Sequence, residues 1–141
     1  FDIARQLGLN NLINVETEDP VARVQELSPN GGADVFLECS GAPPAARMGI
    51  AALRRGGRYC QIGLFGKAFE FDVEQIAYKE LELTGAIGSK RSSWETALRL
   101  LSSGEVKTGL LADKPVPLSE WQLAFERFEK KASLKALLRP E

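Results

Sequence analysis

An α/β fold built on a doubly wound parallel sheet is predicted for these 141 residues by three features. Strand-like apolar runs alternate with segments of helical period, the connections between them are short, and the runs end in small residues. In "ADVFLECSGAPP" the residues Val35, Phe36 and Leu37 are consecutive, which suits a strand covered on both faces. Sheets of this class bind ligands just beyond the carboxyl ends of their strands, where Cys39, Ser40 and Gly41 fall.

The first residues, "FDIARQLGLNN", put Ile3, Ala4 and Leu7 on one helical stripe, and Gly8 follows as a C-cap. "NLINV" has the composition of a short strand. In "EDPVARVQEL" Asp19 is the expected cap and Pro20 the first-turn residue of a helix whose apolar positions are Val21, Val24 and Leu27, with Asn30-Gly31-Gly32 as its stop. After the Val35 strand, Pro43 and Pro44 start a helix through Ala45, Met48 and Ala52 that Gly56-Gly57 should end. "RYCQIGLFG" is a strand ending at Gly63, a helical turn starts at Asp72 with Val73, Ile76 and Ala77 on one face, and "LELTGAIGS" is a further strand.

Two capping boxes follow. Ser92 with Glu95 introduces a helix whose stripe is Trp94, Leu98 and Leu101, ending at Gly104. Ser119 with Gln122, flanked by Leu118 and Leu123 as a hydrophobic staple, introduces the last helix. Its Trp121, Phe125 and Phe128 are expected in a core rather than a ligand cage. "SLKALLRP" is expected to close the chain as a strand with Leu134, Ala136 and Leu138 on one face.

Composition narrows the chemistry. The length suits about one domain, able to bury roughly two thirds of its unfolded surface. Charged residues are 26% and the net charge is −1, so there is no electrostatic footprint for nucleic acid or an anionic membrane. No apolar run approaches the roughly 20 residues of a membrane span, and no leader pattern is present, so a cytoplasmic protein is expected. Cys39 and Cys60 are expected as buried thiols of core strands in a reducing compartment. There is no histidine. Histidine acid–base chemistry and Ser-His-Asp or Cys-His arrangements are therefore excluded, and a zinc site within these residues is not expected.

Three strand ends are rich in small residues: Ser40-Gly41, Gly63, and Gly85-Ala86 with Gly88. Missing side chains there leave space for a flat ligand to meet the backbone, such as a nicotinamide ring or the adenosine end of S-adenosylmethionine. On that reading a branched side chain at Gly63 would fill the place of the ring.

The segments "ADVFLECSGAP", "LRRGGRYCQIGLFG", "FDVEQIAYKELELTGAIGSKRSSWETALRLLSSGEV" and "PLSEWQLAFERFEKKASLKALLRP" together resemble the C-terminal part of zinc-containing medium-chain alcohol dehydrogenases, nearest the sorbitol and threonine dehydrogenase-like branch. The resemblance implies a partial Rossmann sheet lacking its first two strands, with residues 1–109 in the NAD(P)-binding domain and 110–141 returning to the catalytic, GroES-like domain as a helix and a strand. It implies that Cys39, Ser40 and Gly41 lie toward the cofactor riboses and adenine. Ile62, Gly63 and Leu64 would line the nicotinamide pocket, Ala86, Ile87 and Gly88 would offer backbone groups to the carboxamide, and Lys135 would reach the pyrophosphate. Arg54, Arg55 and Arg58 are expected to be solvated.

The resemblance further implies NAD or NADP as cofactor, zinc only in the N-terminal domain, an alcohol or polyol substrate and a homo-oligomeric parent enzyme. The family's G-x-G-x-x-G turn and its ribose-reading acid do not occur in these residues, so the chain is expected to be a fragment cut within the cofactor domain and inactive by itself. "NLINV" would be the third strand of the order 3-2-1-4-5-6 and "ADVFLEC" the fourth, both with open edges. The alternatives are a zinc-independent quinone-reductase-like member, a methyltransferase-type nucleotide-binding module, and a non-catalytic fragment.

Overall fold

The computed structural model describes residues 1–140, which divide into two compact units. One runs from Ile13 to Gly88; the other combines Phe1–Leu12 with the segment that starts at Ser89.

The Ile13–Gly88 unit carries the sheet. It contains α2 (Pro20–Leu27), β1 (Ala33–Glu38), α3 (Pro43–Ala52), β2 (Leu53–Gln61), α4 (Glu74–Tyr78) and β3 (Glu82–Gly85). The strands are all parallel in the order β1-β2-β3, with Phe36 opposite Tyr59 and Tyr59 opposite Leu83. Parallel neighbours require a crossover, and α3 supplies the one between β1 and β2. Asp19 caps α2 as expected, its Oδ1 accepting from the amides of Val21 (2.9 Å) and Ala22 (3.3 Å).

Alternation along the strands sends Phe36 and Tyr59 to one face, where their rings stack with centroids 5.8 Å apart. That face meets α3, and Ala46, Ile50, Leu53, Tyr59 and Leu81 form the buried core with Phe65, Phe69, Phe71 and Ile76 packed against it. Gly49 is the contact point: a Cβ there would lie 2.3 Å from Phe36 Cε1. The expectation that β1 is covered on both faces fails on the other side, where Val35 is 46% and Leu37 58% exposed.

The Gly56-Gly57 pair does not end a helix. The α3 helix stops at Ala52 because Leu53, 2% exposed, is drawn into the sheet. Lys79 binds the end of that helix, its Nζ donating to the carbonyls of Ile50 (3.0 Å), Ala51 (2.7 Å) and Leu53 (3.0 Å). Burial pushes this ammonium below its ordinary pKa. The β1 strand then advances from Ala33 to Val35 while β2 advances from Leu53 to Arg58, so residues 54–57 bulge out. Gly56 makes the bulge with φ +67°, and its amide donates to the Lys79 carbonyl at 2.7 Å. Arg54 and Arg55 are paired at the surface, with Asp34 at 2.6 Å and Glu80 at 2.6 Å.

"NLINV" is not a strand. No neighbouring strand exists among the described residues to pair with it, and its backbone turns instead around Asn14, whose Oδ1 accepts from the Glu16 amide (3.0 Å) while Glu18 Oε1 accepts from the Asn14 amide (2.9 Å). Thiol burial also departs from expectation. Cys39 lies past the end of β1 and is exposed, and Cys60 is half-buried in β2; both are free.

The second unit holds α1 (Asp2–Gln6), α5 (Arg91–Ser102), a 3-10 turn (Thr108–Leu110), β4 (Val116–Pro117), a second 3-10 turn (Leu118–Glu120), α6 (Trp121–Glu129) and β5 (Leu138–Arg139). Gly8 ends α1 as predicted: with φ +91° it lets the Leu9 amide reach the Ala4 carbonyl (3.0 Å) while its own reaches Arg5 (2.9 Å).

The first capping box does not form as expected. The α5 helix begins two residues early, so Lys90 takes the N-cap place, and Glu95 pairs with Arg91 (3.0 Å) rather than capping. The α6 helix begins after the second 3-10 turn, which contains Ser119 and puts Glu120 in the N-cap place. The stripe Trp94, Leu98 and Leu101 and the aromatics Trp121, Phe125 and Phe128 are exposed rather than core. The closing segment forms a strand only at Leu138–Arg139, paired in parallel with Val116–Pro117. Two residues suffice there because β4 offers no longer partner.

Replacing Gly49 by Ala tests the α3 contact. Alanine favours the helix by roughly 1 kcal/mol, but its Cβ would press on a ring held against Tyr59, and overpacking of this kind costs roughly 1–3 kcal/mol. A net loss of stability is expected in urea denaturation. An unchanged or higher midpoint would show that Phe36 moves aside freely.

Candidate functional site

Because all three strands run the same way, their carboxyl ends share one edge of the sheet. The residues after β1 (Cys39, Ser40, Gly41), after β2 (Ile62, Gly63, Leu64) and after β3 (Ala86, Ile87, Gly88) therefore come together there. Lys135 is exposed and belongs to the other unit.

The edge is organised by two residues the sequence reading did not single out. Glu38, the last residue of β1, is 1% exposed, on the same strand face as Phe36. Its Oε1 accepts from the amide of Ser40 (2.9 Å), from the Ser40 hydroxyl and from the amide of Gly41 (3.0 Å). Oε2 accepts from Gln61 Nε2 at 2.7 Å. Gln61 Nε2 also donates to the Gly63 carbonyl (2.7 Å), and its Oε1 accepts from the Tyr59 hydroxyl (2.5 Å). The Glu38 carbonyl completes the link by accepting from the amides of Ile62 (2.8 Å) and Gly63 (2.9 Å).

Burial alone would raise the pKa of this carboxyl, but the hydrogen bonds from Ser40, Gly41 and Gln61 outweigh it and hold the group below its usual range. Tyr59 is pushed up to about 12, first by burial and then by the charges of Glu38 and Cys60. It remains a proton donor to Gln61 across the working pH range. The signal for the pair was legible in principle: a carboxylate ending an apolar strand, on the inward face, must find donors.

The glycines at this edge differ in their physical reason. A Cβ on Gly63 would lie 2.2 Å from the Gly41 amide nitrogen and 2.6 Å from Glu38 Oε2, and one on Gly41 would lie 2.4 Å from the Leu64 carbonyl oxygen. The expectation that Gly63 leaves a face open for a ring is thus corrected: its missing side chain makes room for Gly41 and Glu38. Gly85 and Gly88 are different. A Cβ on Gly85 would meet only the Gln61 carbonyl oxygen at 3.7 Å, and Gly88 is open. The unfilled positions at this edge are thus at the β3 end, and the side chains of Ile62, Leu64 and Ile87 are exposed, the last at 83%. The Ala86 amide is already donated to the Gln61 carbonyl at 2.9 Å.

A groove of about 680 Å³ elsewhere in this unit is lined by Arg47, Ile50, Glu70 and Phe71 among others. Its arginine is engaged, donating to the Glu70 carbonyl through Nη2 (2.7 Å) and Nε (3.1 Å) and standing 5.4 Å from the Phe69 ring centroid.

The family described as zinc-binding dehydrogenase matches residues 1–103. The chain belongs to this family. Sorbitol dehydrogenase of Halalkalibacterium halodurans is 38% identical over 138 residues, covering 97% of this chain and 40% of that protein. L-threonine 3-dehydrogenase of Thermococcus kodakarensis is 34% identical, over 90% of this chain and 35% of its own length. Among solved structures, benzyl alcohol dehydrogenase of Acinetobacter calcoaceticus superposes with a TM-score of 0.87 at 28% identity, over 99% of this chain and 40% of that one. For 2R,3R-butanediol dehydrogenase of Bacillus subtilis the TM-score is 0.87 at 27% identity, with the same coverage. The chain spans 40% and 35% of the length of these two curated relatives. Membership in this family sets aside the methyltransferase reading.

The donor set does not fit the zinc of the family's name. Among the described residues no three His, Cys, Asp or Glu side chains form a group that could hold a metal, and the chain has no histidine. Nor is any helix among them long and apolar enough to cross a membrane. The strand-end edge does fit a flat, partly apolar ligand, through its exposed Ile62, Leu64 and Ile87 and the open β3 end.

Two substitutions separate the glycine roles. Gly63→Ala is expected to lower stability by roughly 1–3 kcal/mol, because the atoms it meets are backbone and a buried carboxylate. Gly85→Ala is expected to stay within about 0.5 kcal/mol. Thermal unfolding of both reads the difference, and equal losses would refute the distinction.

Glu38 also sets an acid limb. A carboxyl with a lower pKa folded than unfolded lends stability above the ordinary carboxylate range and loses it as pH falls through the folded value. Glu38→Gln is expected to reduce stability by roughly 1–3 kcal/mol at neutral pH, since its amide would point donors at donors. The variant should also fall less steeply as pH drops through and below the ordinary carboxylate range. Unfolding midpoints across that range check both effects, and parallel curves would show that Glu38 does not supply the slope.

Proposed function

We propose that this chain is the nicotinamide-positioning part of a larger oxidoreductase that transfers hydride between an alcohol or polyol and NAD or NADP. The observation that supports the reading is the meeting of Cys39–Gly41, Ile62–Leu64 and Ala86–Gly88 at one carboxyl edge of a parallel sheet in a zinc-binding dehydrogenase. When bound, the cofactor supplies the hydride acceptor. Ile62, Leu64 and Ile87 give the ring an apolar surface, and the backbone of Ile87 and Gly88 meets its carboxamide. Cys39, Ser40 and Gly41 face the riboses and adenine.

On this reading residues 1–109 belong to the cofactor domain and 110–141 to the catalytic domain. Zinc is held by side chains outside these residues, the whole enzyme is a homo-oligomer, and it works in the cytoplasm, where Cys39 and Cys60 remain free thiols. Relatives named for sorbitol and L-threonine support a small hydroxylated substrate.

Fluorescence titration with NADH and NADPH tests the reading. The full-length enzyme is expected to bind one of them. The 141 residues alone are expected to bind neither more tightly than roughly 1 mM, about −4 kcal/mol, because no G-x-G-x-x-G turn lies among them. Absence of binding by the full-length protein would overturn the proposal, and low-micromolar binding by the 141 residues would show that the strand ends suffice.

A further inference from the structure

We propose that Glu38 is a positioning residue for cofactor binding, acting through the two loops that its carboxylate and carbonyl tie together; this rests on the reading that the strand-end edge holds a nicotinamide cofactor. The geometry sets Glu38 apart from an ordinary buried ion. Its donors come from two different strand ends: Ser40 and Gly41 from its own loop, and Gln61 from β2, 23 residues away. No basic side chain is among its hydrogen-bond partners, so the charge is matched by dipoles of the loops themselves. The loops therefore cannot move apart without leaving a buried charge short of donors.

The same residue works from its main chain. Its carbonyl accepts both Ile62 and Gly63 amides, and Gly63 is pressed against Gly41 so closely that no Cβ fits between. Gln61 extends the tie in two directions, to the Gly63 carbonyl and to the hydroxyl of Tyr59, whose ring is stacked in the core. The register of Cys39–Gly41 relative to Ile62–Leu64 is thus referred back to the α3-packed core. The outward groups Ile62 and Leu64 stay exposed while the backbone beneath them is held. Glu38 touches no ligand itself; it is sealed beneath the loops at 1% exposure. Its effect on a ligand spanning both strand ends is to have the two halves of the surface already in register, which spares the ordering that binding would otherwise require.

The test uses the full-length enzyme with Glu38→Gln, Gln61→Met and a control, Ile50→Val, which trims the core without removing any donor or acceptor of the tie. Steady-state kinetics with varied cofactor and amide hydrogen exchange are measured on each. The expected result for Glu38→Gln is a rise of about tenfold in cofactor KM, equivalent to about 1.4 kcal/mol, with kcat changed less than about twofold. Gln61→Met is expected to give about threefold in the same direction, and it carries the test if Glu38→Gln does not fold. Ile50→Val should lower Tm and leave cofactor KM unchanged.

Exchange should quicken at Ser40, Gly41, Ile62 and Gly63 in both network variants while Tyr59 stays protected. The proposal is overturned if the network variants leave cofactor KM unchanged, if Ile50→Val raises it equally, or if faster exchange is confined to Ser40 and Gly41. Should the wild-type enzyme bind no nicotinamide cofactor, the functional reading falls and with it the role of Glu38 in binding, whereas exchange spreading to Ile62 and Gly63 would still establish the tie between the loops.

Discussion

A carboxylate withdrawn from water must be surrounded by donors, and in this chain that requirement falls on Glu38 at the end of β1. The donors are the backbone and hydroxyl of its own loop and the side-chain amide of Gln61. Meeting them draws the loops after β1 and β2 together until Gly41 and Gly63 touch through their backbones. Small residues at both positions follow from this closeness. The close approach of the first two loops at the carboxyl edge follows from one buried charge and its satisfaction.

That edge is carried on a frame with its own logic. The α3 helix lies tight on β1 because Gly49 presents no side chain to Phe36, and Leu53 passes directly from helix to sheet. Lys79 then serves both sides of the junction, its ammonium on the last carbonyls of α3 and its own carbonyl on Gly56 in the bulge. Helix end, bulge and β2 are fastened at one point, so the strand that leads to Gln61 and Gly63 is fixed at its start as well as its end. A positioning function needs this kind of support from beneath.

The glycines at the carboxyl edge do not all serve one purpose. Glycines at strand ends are commonly read as space for a ligand. Here two of them are occupied by the protein itself, and the open positions are at the end of β3. Ile62, Leu64 and Ile87 are exposed at this same edge, whereas Val35 and Leu37 are open on the sheet face away from α3.

Signals within a few residues of one another were legible in the sequence by itself. Asp19-Pro20 starts α2, Gly8 ends α1 through a left-handed residue, and apolar runs ending in small residues mark parallel strands and the edge where they meet. These are local because a cap, a turn or a strand period is decided by atoms a few bonds apart. Tertiary structure alone decided the rest. "NLINV" has strand composition but no neighbour to pair with, and the stripes of Trp94 and Trp121 have helical spacing but no cover among the described residues. Gly56-Gly57 serves a bulge rather than a helix end because Leu53 is claimed by the sheet. Whether an apolar residue is buried, and whether a glycine is empty space or a contact, depends on atoms that chain folding brings from far away. Gln61 and Glu38, 23 residues apart, meet only once the strands lie side by side.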